Sequence, residues 1–231
     1  MASIDQELVL LTCGDRPVRR FPFHGSRPAA RLGRVPGVLA HVPAVSLPAR
    51  PGKDDVDPVL KERAPSRVIV HGDDADLASV LVRLLRRDRL DIEVAFVPAT
   101  RRSAVAQAWN LPRDRSRSAA LALDAPALPT PLIRDDSGGV LVGRGVVRDL
   151  EGEAYCDNTL VLRGRTRRLV AVPGPDGVSS LPGRQVRAAT GRALQIGCVE
   201  AFVEVDGVPH PRPVPRWTWY RHTADWRFVR P

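Results

Sequence analysis

The spacing of apolar residues along the chain predicts an α/β unit in residues 67–112. Residues 67–71 (RVIVH) are apolar and β-branched, which favours a buried strand. Residues 77–87 and 103–109 are predicted to form helices, with a second strand at 92–97 between them. Apolar residues recur at helical spacing on one face of the first helix, at Leu77, Val80, Leu81, Leu84 and Leu85. Because strands and helices alternate at short intervals, the pattern predicts a parallel sheet with helices packed against it.

The segments before this unit have a different character. Residues 7–12 (ELVLLT) predict a buried strand, and residues 54–63, which open with acidic residues, predict a short helix. Prolines and arginines recur through residues 16–57, and proline neither continues a helix nor donates a hydrogen bond to a sheet. Only short strands are expected there, such as residues 37–42. The rest of the segment is expected to be an extended chain on the surface.

Beyond residue 113 the helical spacing disappears. Residues 113–118 are polar and predict a loop. Short β-rich segments follow, separated by turns that contain glycine or proline, at residues 119–123, 140–142, 159–162, 169–172, 186–188, 193–196 and 202–205. The predicted fold class is therefore α/β, with an N-terminal parallel-sheet domain flanked by helices and a C-terminal, mostly-β, sandwich-like domain. We place the domain boundary between residues 120 and 121, within the segment 118–135.

The composition of the chain limits the possible location and partners of the protein, but it does not select one class of partner. The chain carries a net charge of +9, and only Lys53 and Lys61 among its 35 basic residues are lysines. This charge favours nucleic acid, anionic lipid or phosphate as partners. No apolar run of about 18 residues occurs, and Asp5 and Glu7 precede the first apolar run, which is not typical of a signal peptide. We expect a cytoplasmic protein, with peripheral contact at the inner membrane face as an alternative.

The loop at residues 72–76 (GDDAD) is the first candidate for a functional site. It lies between a predicted strand and a predicted helix N-terminus, where backbone amides commonly bind phosphate. The loop keeps one glycine, Gly72, and carries the carboxylates of Asp73, Asp74 and Asp76. Either a Mg²⁺ ion held by Asp74 bridges these acids to a phosphate, or the acids cap the helix.

Residues 72–112 resemble the diacylglycerol kinase and sphingosine kinase family of the lipid kinase superfamily, which has an NAD-kinase-like fold. Residues 72–77 align with the family's G-G-D-G-T-L loop, residues 97–106 with its second loop P-L-G-T-x-N-D-F-A, and residues 109–112 (WNLP) with L-G-L-P. Residues 201–207 (AFVEVDG) resemble the strand and D-G-E turn of its β-rich domain. The resemblance implies an ATP- and Mg²⁺-dependent lipid kinase fold, with Asp74 near the phosphates or their metal.

Departures from the family pattern lie at the functional positions. The first loop keeps only Gly72 and Asp74, and the second loop loses its G-T and N-D pairs. The catalytic base of the family lies in a D-G segment of the second domain, for which the nearest candidate is Asp176. Arg101 and Arg102 stand where the family has small loop residues, and their side chains can bind a phosphate or carboxylate. Alternatively, Asp74 and Arg101 pair with each other and close the old nucleotide site.

We therefore expect a degenerate, non-catalytic member that binds an anionic small molecule or lipid headgroup in the cleft between the domains. The residues expected to bind the anion are Gly72, Asp73, Asp74, Thr100, Arg101 and Arg102. The alternatives are an active lipid kinase that uses ATP and Mg²⁺ with Asp74 and Asp176, and a basic protein that binds nucleic acid or anionic lipid. A cofactor is expected only in the kinase alternative.

The C-terminal segment mixes aromatic rings with positive charge. This mixture suits a membrane or partner surface formed by Trp217, Trp219, Trp226 and Arg221. If the segment is a strand, Trp217 and Trp219 share one face of it. The other interpretation is a final strand that covers the core of the β-rich domain. Residues 163–168 (RGRTRR) predict a hairpin turn, with contact to a phosphate or lipid headgroup as the alternative.

Overall fold

The computed structural model describes residues 7–14 and 35–231, so residues 16–34 of the Pro/Arg-rich segment 16–57 lie outside the described residues. The strands are β1 (Leu8–Cys13), β2 (Ala44–Leu47), β3 (Arg67–Gly72), β4 (Glu93–Pro98), β5 (Ala127–Asp135), β6 (Val140–Leu141), β7 (Gly145–Cys156), β8 (Thr159–Gly174), β9 (Gly177–Ser180), β10 (Ala189–Gly191), β11 (Ala193–Val205), β12 (Val208–Pro209) and β13 (Val214–Val229). The helices are α1 (Lys53–Arg63), α2 (Asp74–Arg86), α3 (Ala104–Ala108) and α4 (Arg115–Asp124), with a 3₁₀ helix at Gly37–Leu39.

The described strands form one mixed sheet in which parallel and antiparallel parts are continuous. The order along the main path is β10-β9-β8-β7-β11-β13-β4-β3-β1-β2, with β5, β6 and β12 attached beside it. Strands β2, β1, β3 and β4 run parallel, as expected for a helix-flanked sheet. The strands from β7 to β11 pair antiparallel. The predicted fold class is confirmed.

The periodicity of α2 explains how the helix packs on the sheet. Leu77, Val80, Leu81 and Leu84 are fully buried and join the apolar side chains of β1, β3 and β4 in the first core. Full burial of a Leu or Val side chain contributes roughly 1.5–3 kcal/mol relative to exposure. The helix is thus held by one apolar face, and its N-terminal loop is placed at the carboxyl end of β3.

The helix α4 (Arg115–Asp124) occupies most of the segment predicted as a loop at 113–118 and a strand at 119–123, so both predictions are wrong. Asp114 caps α4 by accepting a hydrogen bond from the amide of Arg117 at 2.9 Å. Alanine favours helix strongly, and a short apolar run cannot be assigned to strand or helix by periodicity alone. Arg67 of β3 donates hydrogen bonds to the carbonyls of Ala122, Leu123 and Ala125 at the C-terminal end of α4, which fixes the helix on the sheet.

Three further predictions of local structure are corrected. Residues 37–42 form the 3₁₀ helix Gly37–Leu39 and a turn rather than a strand, and the strand of this region is β2. Residues 163–168 are not a hairpin turn but the middle of the long strand β8, where Arg163 and Arg165 form salt bridges with Glu153 and Glu151 of β7. Residues 186–188 lie before β10 rather than in a strand.

The C-terminal strand β13 joins the two halves of the molecule. Trp217 and Trp219 lie in the core of the β-rich part, whereas Trp226 and Phe228 pack in the first core. Phe228 pairs in parallel with Val94 of β4, so the end of the chain returns to the N-terminal sheet.

The proposed surface role of the three tryptophans is corrected by their burial. Trp217, Trp219 and Trp226 are 3%, 0% and 2% exposed, so their rings are core side chains. Arg221 is half-buried and forms a salt bridge with Asp225 at 3.2 Å. Among residues 7–14 and 35–231, no helix combines the length and the hydrophobicity needed to cross a membrane.

Candidate functional site

A cleft of about 460 Å³ lies where loops from both halves of the molecule meet. The N-terminal half contributes the β3–α2 loop, the β4–α3 loop and residues 49–50, which precede α1. The β-rich half contributes Arg144 from the β6–β7 connection and residues 206–209 around β12. The cleft therefore contains the loops that the sequence singled out, together with groups from the second domain.

The carboxylate of Asp76 occupies the β3–α2 loop. One oxygen, Oδ2, accepts a hydrogen bond from the amide of Asp73 at 2.8 Å, and Oδ1 accepts one from the amide of Arg50 at 2.6 Å. The same side chain packs on Gly72, where an added Cβ would approach Oδ2 to 2.5 Å. A side chain at position 72 would collide with the carboxylate of Asp76, so this position requires glycine. The Asp76 carboxylate fills the space that the loop would otherwise leave open.

Asp74 links the two loops of the N-terminal half. Its carboxylate accepts hydrogen bonds from the Ser103 hydroxyl at 2.5 Å and from the Ala104 amide at 2.6 Å. Burial raises the pKa of Asp74, and these two hydrogen bonds oppose the increase by stabilising the ionised form. The start of α2 is thus tied to the start of α3, and the Ala104 amide is used within the protein.

Asp206 is the carboxylate that the β-rich half contributes. It is 7% exposed and accepts hydrogen bonds from the amides of Val142, Gly143 and Arg144 at 3.0, 2.8 and 2.8 Å. Burial raises the pKa of Asp206 to about 7, against the effect of the three amides, and the charge of Asp74 adds to the increase. The sequence marked Asp206 only as part of a D-G turn, and that motif was the signal that could have identified it.

Three arginines border the cleft. Arg50, Arg102 and Arg144 are exposed and line it together with the carboxylates. Arg144 is close enough for its charge to stabilise the ionised form of Asp74. Arg50 and Arg144 were not identified from the sequence, because nothing local distinguishes them from the many other arginines.

The structure brings together most of the predicted anion-binding set. Gly72, Asp73, Asp74, Thr100 and Arg102 line the cleft. Arg101 does not, because it lies beside Pro112, Arg113 and Arg115 in a separate small depression. The alternative pairing of Asp74 with Arg101 is also not observed, since Asp74 is bound by Ser103 and Ala104.

Comparisons with known proteins agree with this architecture. No protein-family model matches the sequence, and no curated protein matches it significantly. A diacylglycerol kinase from Bacillus anthracis str. Sterne superposes with a TM-score of 0.68 at 11% identity, over 99% of this chain and 98% of that one. The chain has the diacylglycerol-kinase-like fold. An NAD kinase from Archaeoglobus fulgidus, in complex with ATP, superposes with a TM-score of 0.56 at 11% identity, over 96% of this chain and 93% of that one.

In this kinase-like fold, Asp176 is not part of the cleft. It lies exposed in the turn between β8 and β9, outside the residues that line the cavity. The prediction that it acts as the catalytic residue is therefore corrected. The carboxylate of the second domain that reaches the cleft is Asp206.

The carboxylates of this kinase-like cleft already serve as hydrogen-bond acceptors within the protein. Asp74, Asp76 and Asp206 each accept at least two hydrogen bonds from protein donors. No group of three or more His, Cys, Asp or Glu residues in the described ranges is arranged to hold a metal ion. The cleft therefore offers no all-protein cage for Mg²⁺, which proteins usually bind through one or two carboxylates together with waters and substrate phosphates.

Proposed function

We propose that this protein is a non-catalytic member of the kinase-like fold that binds an anionic small molecule in the interdomain cleft. One observation carries the proposal. The amides of Asp73 and Ala104, at the two loops where phosphate would bind, already donate to the carboxylates of Asp76 and Asp74. A triphosphate would have to displace both carboxylates and would then lie beside their charge. Nucleotide binding in the usual mode is therefore disfavoured.

The arginines provide the alternative anion contacts. Arg50, Arg102 and Arg144 are exposed at the cleft, and none of the three guanidinium groups forms a salt bridge within the described part of the chain. A guanidinium binds a phosphate or carboxylate through paired N–H donors, without any free backbone amide. The anionic group would therefore bind at the arginine side of the cleft, away from the loop carboxylates.

Isothermal titration calorimetry on the full chain tests the proposal with glycerol 3-phosphate and Mg-ATP as probes. We expect glycerol 3-phosphate to bind, and Arg102→Ala or Arg144→Ala to weaken binding by about tenfold each, which corresponds to one lost charged contact. Arg101→Ala is the matched control, because this neighbouring arginine lies outside the cleft and should not change the affinity. Mg-ATP at millimolar concentration should give no heat.

Two results would overturn the proposal. One is binding of Mg-ATP with release of glycerol 3-phosphate, because that would show that the loops accept a nucleotide. The other is a glycerol 3-phosphate affinity that responds equally to Arg101→Ala and Arg102→Ala, because this would show that only net charge matters.

A lipid kinase activity is the second candidate, and Asp206 is the observation that favours it. Burial brings the pKa of Asp206 to about 7, close to the pH at which a general base works best. Transfer of labelled phosphate from ATP to dioctanoylglycerol, lost in Asp206→Asn, would support this candidate. Absence of transfer by the wild-type protein would exclude it for this acceptor.

A further inference from the structure

A second cavity, of about 490 Å³, adjoins the cleft and shares Arg50, Ala75 and the β12 segment with it. Ala78 and Val82 of α2 line it on one side, and Val140 of β6, Val205 of β11 and Trp217 of β13 line it on the other. Cavities of 300–1,000 Å³ with mostly apolar walls are typical of small-molecule sites. The cavity is thus large enough for one apolar chain or ring system.

The charges around this cavity are unbalanced and positive. Lys53 and Arg86 line it, and neither forms a salt bridge with another residue in the described ranges. Arg83 also lines it, but its guanidinium is paired with Asp57. The two acidic residues of the lining, Asp135 and Asp206, are satisfied by donors of the protein, Asp135 by Ser137 and Gly139.

Trp217 adds a polar group that lacks a partner. The side chain is 3% exposed, and its Nε1–H donates to no acceptor among the residues that the structure describes. A buried N–H without an acceptor is costly, so such groups are normally satisfied. The Nε1 atom is itself buried, so Trp217 contributes its ring to the wall of the cavity and not this donor.

We infer that this cavity binds a single-chain amphipathic organic anion. The apolar part packs between Val82 and Trp217, and the anionic group lies at Lys53 and Arg86. Arg50 lines both this cavity and the arginine-lined cleft, whereas Arg102 and Arg144 line only the cleft, and Lys53 and Arg86 line only this cavity. The inference goes beyond the proposed function, and either can fail without the other.

Calorimetric titration of the full chain with decanoate, below its micelle concentration, tests the inference. We expect saturable binding of one decanoate, and about tenfold weaker binding of the neutral analogue decanol, because a charged contact is lost. Lys53→Ala and Arg86→Ala should each weaken decanoate binding by about tenfold. Lys61→Ala is the matched control, since this second lysine of α1 is exposed and lies outside the cavity.

Further variants separate this cavity from the cleft. Ala78→Phe should fill the cavity and abolish decanoate binding, with folding checked by the urea midpoint. Arg144→Ala should leave decanoate binding unchanged while it weakens binding of glycerol 3-phosphate. The inference is overturned if wild-type protein does not bind decanoate, if decanol binds equally well, or if Lys53→Ala and Lys61→Ala behave alike.

Discussion

The carboxylate of Asp76 accepts a hydrogen bond from the backbone amide of Asp73 at 2.8 Å. This contact stabilises the start of α2 and at the same time removes an amide that would face a phosphate. The chain thus satisfies its helix N-terminus internally, with a carboxylate in the place of a ligand oxygen. The stability of the loop and its ability to bind phosphate are therefore opposed.

Asp76→Ala should lower the free energy of unfolding and increase phosphate affinity. Two amides, those of Asp73 and Arg50, lose their acceptor, which should cost about 1–3 kcal/mol. The freed amides should also bind inorganic phosphate more tightly than in the wild type. Urea denaturation and calorimetry measure the two effects.

Asp114→Ala is the control for this variant, because Asp114 caps α4 through a similar hydrogen bond to Arg117. It should cost about 1 kcal/mol without any gain in phosphate binding. A phosphate affinity that stays at the wild-type value in Asp76→Ala would contradict the proposed role of Asp76.

Asp206 should make the protein less stable as the pH rises from about 4 to about 7. Burial raises its pKa from 3.8 to about 7, so the folded state holds the proton more tightly than the unfolded state does. Its stabilising contribution is therefore complete below the unfolded pKa and is lost as the pH rises through the folded pKa. The stability of Asp206→Asn relative to the wild type should increase over this range. The urea midpoints of the wild type and Asp206→Asn at several pH values measure this change. A difference between the two midpoints that does not vary with pH would contradict the prediction.

We expect substitution of the buried Arg67 to be among the most destabilising substitutions in this fold. Its guanidinium is 4% exposed and binds Glu93 at 2.6 Å together with the carbonyls of Leu123 and Ala125 at 2.7 and 3.0 Å. Arg67→Ala removes the donor of these carbonyls and leaves Glu93 with only the longer salt bridge to Arg227 at 3.7 Å, so it should cost about 3 kcal/mol or more in urea denaturation.

Two other variants calibrate this result. Arg67→Lys keeps the charge but cannot reproduce the forked contacts, so it should recover only part of the loss. Arg89→Ala breaks an exposed salt bridge with Asp91 and should cost less than about 1 kcal/mol. Equal losses for Arg67→Ala and Arg89→Ala would show that α4 does not depend on Arg67.

Gly145→Ala should destabilise the β-rich half. A Cβ at this position would collide with the ring of Trp219, which is 0% exposed and cannot move without repacking. Overpacking of this kind costs about 1–3 kcal/mol. Gly174→Ala is the matched control, because nothing lies within 4 Å of its added Cβ, and it should change the free energy of unfolding by no more than about 0.5 kcal/mol. Equal urea midpoints for the two variants would contradict the tight packing at Trp219.

Local periodicity predicted the N-terminal half well. The predicted helix at 77–87 and strands at 67–71 and 92–97 agree with α2, β3 and β4 to within about three residues at each end. The prediction failed at 113–123, where an alanine-rich segment has no strong apolar face and the carbonyls at the end of its helix are bound by Arg67, which lies far away in the sequence. It also failed at 163–168, because the arginines that suggested a turn pair with glutamates on the adjacent strand.

The candidate site was predicted only in part. The strand-loop-helix pattern identified Gly72, Asp73, Asp74, Thr100 and Arg102, since these residues follow strands whose carboxyl ends share one edge of the sheet. Arg50 and Arg144 carry no local pattern that could place them in the cleft, and the only local signal for Asp206 was its D-G turn. The assignment of Asp176 failed for the same reason, because a D-G pair carries no information about which turn faces the cleft.

The sequence by itself determined the secondary structure of residues 67–112 and their likeness to a kinase, because periodicity and loop motifs are local properties. Only the tertiary structure decided which carboxylate and which arginines come together at the cleft, and which tryptophans are buried. The reason is physical: a side chain's burial and its hydrogen-bond partners depend on segments that can lie more than a hundred residues away, as Arg227 and Glu93 do. The acids of residues 72–76 were visible in the sequence, but only the fold shows that they bind the protein's own amides.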